Sequence, residues 1–214
     1  MFCVQNEASA GAPAPLPDDG FYLPFPNKHL VMKKMNTLLF LSLLLSFSFN
    51  SKAQSLSAAD IKAQMLKDWE RGKSYTIEYL NTMPADKYGF KAMDSVRSFA
   101  QQMLHLAAGN VLLMSNATGG QQLPWMRSNI ENSRTAQNKD SVMYYVTASY
   151  DYCMDAVKNL DAAKWAENIK MFNTFEMTRF ALMNKVFEHQ THHRGQTTIY
   201  IRLVGIRPPQ EKLF

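Results

Sequence analysis

The sequence predicts an all-α protein, a four-helix bundle preceded by a cleavable signal peptide. Three observations predict it. Long segments repeat apolar residues every three or four positions, one uncharged apolar run follows a pair of lysines, and almost nothing alternates with the two-residue period of a strand.

The apolar run comes first. From Met32 the chain reads MKKMNTLLFLSLLLSFSFNSKAQS, in which Lys33 and Lys34 precede a stretch from Leu38 to Phe49 broken only by serines, and Ser51-Lys52-Ala53 closes it. This is the order of a secretory signal and its cleavage site. Twelve residues rise about 18 Å as a helix against a hydrocarbon core of about 30 Å, so no stable membrane span is expected after cleavage. An uncleaved anchor is the rival reading. Residues 1–31 are proline-rich without a sustained period and are read as an over-called start or a leader, residues 32–53 as the signal peptide, and residues 54–214 as one helical domain. The expected destination is periplasmic or extracellular.

The whole chain carries a formal charge of +5. From Gln54 onward 19 basic residues stand against 15 acidic ones, a mild excess with no basic run and no basic-aromatic stripe, so a nucleic-acid partner is not expected. Cys153 is the one cysteine of the 54–214 segment and has no partner for an intramolecular disulfide. Within YDYCMDAV it reads as a small buried apolar residue.

The first helix opens at Ser57, where Asp60 three residues on suggests a capping arrangement, and Ile61, Met65, Trp69, Tyr75 and Tyr79 share a broad face until Pro84. A second spans Ser95 to Asn116, with Val96, Phe99, Met103, Leu106 and Leu113 in register and a glycine pair after it. Residues 118–138 show no clear period and are either a functional loop or hide a short helix. The third helix runs from about Lys139 to Leu160, with Val142, Tyr145, Val146, Ser149, Cys153 and Val157 on one side. The last spans about Thr174 to Val204, stopped by Gly205 and Pro208-Pro209. Four such helices with one long connection indicate a bundle.

The last helix carries FEHQTHHRGQ, which holds three of the chain's five histidines. Its apolar face can be followed as Phe175, Leu182, Val186, His189, His193, Tyr200 and Leu203, so two imidazoles fall at inward positions. Four residues apart, they lie about 40° from each other and one turn along the axis, close enough to reach one ion. His192 turns about 100° away, toward the edge of the bundle. His105, the remaining histidine beyond residue 53, sits in the apolar run QMLHLAAGN, with Ala107, Ala108 and Gly109 just after it to let another helix approach. Three inward histidines from two helices suit zinc, nickel or iron(II) better than magnesium or calcium, with coordination positions left open to water or substrate. A satisfied polar core is the competing reading of the same residues.

HQTHHRGQTTIYIRLVGIRPP, His189 to Pro209, resembles the C-terminal signature of the DinB-like (DinB/YfiT-like) superfamily, a His-x-x-His-His-Arg-Gly-Gln run leading into a Tyr-x-Arg-x-x-Gly-x-x-Pro tail. VRSFAQQMLHLAAGNVLLM resembles its second-helix motif. The resemblance implies a four-helix metal-binding bundle with His105, His189 and His193 as ligands and His192 as the non-ligand member of the double histidine. It matches Arg194, Gly195 and Gln196 to the rest of the run without giving them a catalytic role. Gly195 is read as a close helix contact, and Arg194 and Gln196 as hydrogen-bonding or packing residues near the site.

Two function classes follow from the resemblance. One is a metal-dependent enzyme, since the family includes thiol transferases using bacillithiol or mycothiol and related hydrolases, acting on a small-molecule substrate. The other is a non-catalytic, stress-related metal-binding bundle. Thiol cofactors of that kind are mainly cytosolic, which weighs against thiol transfer in an exported chain. Several relatives are homodimers, and exposed aromatic residues and methionines would suit such an interface. Gln101, Gln102, Glu176 and Glu188 are the candidates for supporting the ligands, and a pocket lined by Trp125 or Tyr200 would favour catalysis.

Overall fold

Each long helix begins at a residue that satisfies its own free amides. This computed structural model describes residues 56–214 together with Met32 and Lys33. Apart from Met32 and Lys33, the expected signal peptide and its cleavage site lie outside the described residues. Helix α1, Ala58–Thr82, starts with a reciprocal capping box between Ser57 and Asp60. Helix α2, Phe99–Thr118, starts with a second box between Ser98 and Gln101 and ends at Gly119, whose φ of 76° supplies a left-handed cap. Helix α3, Lys139–Asn159, is capped by Asn138, and α4, Arg179–Leu203, by Thr178.

Two of these starts differ from the sequence expectation. Helix α2 begins four residues later than Ser95, because Ser98 has the glutamine three positions on that Ser95 lacks. Helix α4 begins at Arg179, and the all-α expectation needs correction there. Strands β1, Asn168–Met171, and β2, Phe175–Thr178, form an antiparallel hairpin with Met171 opposite Phe175. Phe172 and Asn173, both at positive φ (52° and 56°), make its turn. An asparagine tolerates that conformation and a phenylalanine rarely does, so the signal for a turn was half hidden. Phe175 is accordingly an exposed strand residue and not part of the buried helical face, and Leu203 at the other end is also exposed. Residues 118–138 resolve both earlier options in part: Pro124–Arg127, Ile130–Asn132 and Arg134–Ala136 are short 3-10 turns in an otherwise irregular loop.

Helix α2 packs on α3 and α4, and α1 packs on the same two, closing a four-helix bundle. Its core is aromatic at one level, where the fully buried Trp69 meets Tyr150 and Phe187 edge-on at 5.7 and 5.3 Å. Along α2, Phe99, Met103, Leu104 and Leu106 are sealed from solvent, as are Met183, Val186 and Ile201 on α4. Each such side chain contributes about 1.5–3 kcal/mol of burial. Cys153 is buried too, as its helical setting implied.

The cap of α2 is the local device that sets where its histidine emerges. Ser98→Ala, which deletes the acceptor for the Gln101 amide, should lower stability by about 1 kcal/mol in urea denaturation while leaving helix content unchanged.

Candidate metal centre

His105 on α2 meets His189 and His193 on α4 between the two helices. The ring centroids lie 5.5 Å apart for His105 and His189, 4.6 Å for His105 and His193, and 4.5 Å for the pair on α4. One ligand atom from each of the three lies within 4.8 Å of the others, an arrangement that could hold a metal ion. The approach depends on Gly109. A β-carbon there would stand 2.1 Å from Cε1 of His189, which no side-chain adjustment short of moving the imidazole relieves.

Two of the three rings are oriented by hydrogen bonds at Nδ1. His105 shares 2.9 Å with a carboxylate oxygen of Glu131, whose other oxygen accepts from Nε of Arg97 at 2.6 Å. His193 shares 2.9 Å with Oε1 of Gln102, while the Gln102 amide donates to Gln196 at 2.8 Å. An acceptor at Nδ1 fixes the proton there and leaves the Nε2 lone pair of each ring for another partner. The third ring, His189, has a buried Nδ1 with no hydrogen-bond partner among the described residues.

Charge state points the same way. Burial, reinforced by the other imidazoles and by Arg97, pushes His189 down to about 4 and His193 down to about 3. Both are therefore neutral at physiological pH, the form in which imidazole binds metal. Burial opposes ionisation of Glu131, but the hydrogen bonds from Arg97 and His105 outweigh it and hold the carboxyl below its usual range. Neutral nitrogen donors with one buried nitrogen unsatisfied fit a divalent transition ion.

The three histidines singled out from sequence are thus brought together, and His192 is exposed on the outer side of α4. Gln196 lies beside the centre through Gln102, as expected. Gly195 does not make the close helix contact expected of it, since nothing lies within 4 Å of where its β-carbon would stand; the close approach is at Gly109. Arg194 turns toward α1, where it donates to Gly72, Thr76 and Gln190. Of the four supporting candidates only Gln102 touches a histidine. Gln101 caps α2, Glu188 pairs with Lys185 on the surface, and Glu176 is exposed on β2. Trp125 packs on Tyr145, and Tyr200 donates its hydroxyl to the Arg97 carbonyl. Glu131 was not anticipated, for it stands 26 residues from His105 in a loop without a motif.

A helical bundle with a three-histidine cluster between two of its helices is the class that this fold and site define. The chain belongs to the DinB family, whose model matches residues 51–213. Solved structures agree in fold. A DinB-like protein from Bacillus cereus ATCC 10987 is 14% identical with a TM-score of 0.60, covering 69% of this chain and 95% of its own. The DinB-like protein YjoA from Bacillus subtilis is 20% identical with a TM-score of 0.53, covering 71% and 96%. A conserved protein from Enterococcus faecalis is 15% identical with a TM-score of 0.55, covering 70% and 98%. No curated protein matches the chain.

Gly109→Ala should displace His189 and lower affinity for zinc at least tenfold, read by competition with a chromophoric chelator. Acid should destabilise the metal-free protein. Below the ordinary histidine value of 6.5 the unfolded chain takes up protons that folded His189 and His193 refuse until about pH 4 and 3. Stability contributed by the two rings is present above pH 6.5 and lost as pH falls through that window, so thermal melts in chelator should show the midpoint dropping from pH 6.5 toward 4.

Proposed function

We propose that the chain is an exported DinB-family protein that holds one divalent transition ion, zinc, nickel or iron(II), through His105, His189 and His193, and that it is a metal-dependent thiol transferase or hydrolase. The observation that carries the reading is the convergence of three imidazoles, two with Nδ1 occupied and the third with a buried Nδ1 unsatisfied. A bound ion would supply a lowered pKa to a coordinated water or thiol. The chain's own residues would hold and orient it: Glu131 and Gln102 fix the tautomers of His105 and His193, and Arg97 keeps the Glu131 carboxylate ionised and aimed. Export rests on the lysine pair, apolar run and Ser-Lys-Ala order from Met32 to Ala53.

A non-catalytic metal-binding bundle is the second reading. It is favoured by the commitment of the neighbouring polar groups, Glu131, Gln102, Gln196 and Tyr200, to internal hydrogen bonds, which leaves none of them aimed at a substrate.

Elemental analysis of protein purified without chelator should give about one equivalent of transition metal. His105→Ala, His189→Ala and His193→Ala should each lose most of it, whereas His192→Ala keeps it. Equal losses at His192 and His193 would overturn the ligand assignment. Glu131→Gln should retain the fold and weaken zinc affinity about 10- to 100-fold, as loss of an orienting carboxylate does. Thiol transfer to an electrophile or hydrolysis by the loaded protein, abolished by His193→Ala, selects the enzymatic reading over the second.

A further inference from the structure

Arg194 follows His193 in the chain but serves the opposite flank of α4. It is 6% exposed, and among the described residues it forms no ion pair with any carboxylate. Its three hydrogen bonds all leave from Nη1, to the Gly72 carbonyl, Thr76 Oγ1 and Gln190 Oε1, each a neutral acceptor. The guanidinium also lies 4.8 Å from the centre of the Tyr75 ring. Neutral acceptors and one aromatic face offset part of the cost of removing a full charge from water, and a buried cation without a counter-ion leaves the rest uncompensated.

Arg194 lines a cavity, and among the described residues only its Nη1 is hydrogen-bonded. Nε and Nη2 carry no hydrogen bond among the described residues and are not sealed from solvent. Arg194, Tyr75, Tyr79, Thr198 and Arg202 line a cavity of about 410 Å³, walled on the remaining side by the C-terminal segment around Pro208 and Lys212. That wall is tied down, since the Lys212 carbonyl accepts from Arg71 at 2.8 Å and its ammonium pairs with Glu78. Within the cavity the Tyr79 hydroxyl stands 2.9 Å from Thr198 Oγ1 and 3.3 Å from the Tyr75 hydroxyl, a short chain of donors beside the cation.

The geometry points to a second ligand site here, separate from the histidine centre, for a small organic carboxylate bound by the free edge of Arg194 between α1, α4 and the C-terminal segment. Two parallel N–H groups match the two oxygens of a carboxylate. The volume exceeds what a bare anion fills and lies within the range of small-molecule pockets. Glu211 on the same lining repels a doubly charged phosphate more than a singly charged carboxylate, and Arg202 and Lys212 on that lining offset its charge.

Calorimetric titration of the full chain tests this, in a His193→Ala background so that no metal centre competes for the anion. Acetate, benzoate and inorganic phosphate are the probes. A carboxylate should bind with a Kd of about 1 mM or tighter, and more tightly than phosphate. Arg202→Gln should weaken it about threefold, and Arg194→Lys, which keeps the charge but loses the fork, about tenfold. Arg194→Met should abolish binding; if that variant does not fold by circular dichroism, the other two decide. No binding of either carboxylate to folded protein, or binding indifferent to Arg194→Lys and Arg202→Gln, overturns the site. Tighter binding of phosphate than of both carboxylates overturns the assigned ligand class.

Discussion

The approach of α2 to α4 is the constraint on which the site depends. A single missing β-carbon at Gly109 admits the His189 ring, and without that gap the three imidazoles could not share one space. The requirement reaches outward through the fold. The capping box at Ser98 fixes where α2 starts; Phe99, Met103 and Leu106, on other sides of the helix, are buried in the core and set its rotation, which turns His105 toward α4. Packing and chemistry thus compete for one helix surface, and the glycine is where packing gives way.

Two of the buried polar groups lie on either side of α4. One joins Arg97, Glu131, His105, His193, Gln102 and Gln196 around the histidine centre. The other joins Thr76, Tyr150, Gln190 and Arg194, with Tyr150 donating to Gln190 at 2.7 Å. Adjacent residues of α4, His193 and Arg194, belong to different groups because successive helical positions point about 100° apart. Both are buried, and buried polar groups of this kind specify one arrangement of the helices more sharply than apolar contacts do.

Most of the helical architecture was legible in the sequence because periodicity and caps are local signals. Ser57, Pro84, Lys139 and Gly205 marked boundaries that the structure keeps to within a few residues. The histidine triad was legible for the same reason: an i, i+4 pair on an apolar face, and a third histidine beside small residues. What was missed is non-local. Strand β2 was absorbed into the start of the last helix and β1 into the connection before it, since so short a run of aromatic and methionine residues fits either period. Glu131 had no signal, because its role depends on where an irregular loop returns in space. Gly195 was credited with a contact that Gly109 makes, and only the packed helices distinguish the two.

The loop origin of Glu131 would let the exchange of an ion at the centre differ from the stability of the bundle. His193 is oriented by Gln102, a residue inside a packed helix, whereas His105 is oriented by a side chain from a 3-10 turn held by Arg97 and by Gln137, whose amide donates to the Glu131 carbonyl at 2.8 Å. Local opening of such a segment requires far less free energy than unfolding of the helices. The residence time of any ion held between α2 and α4 would then be governed by how often that turn lifts, and a protein of high melting temperature could still exchange its ion quickly.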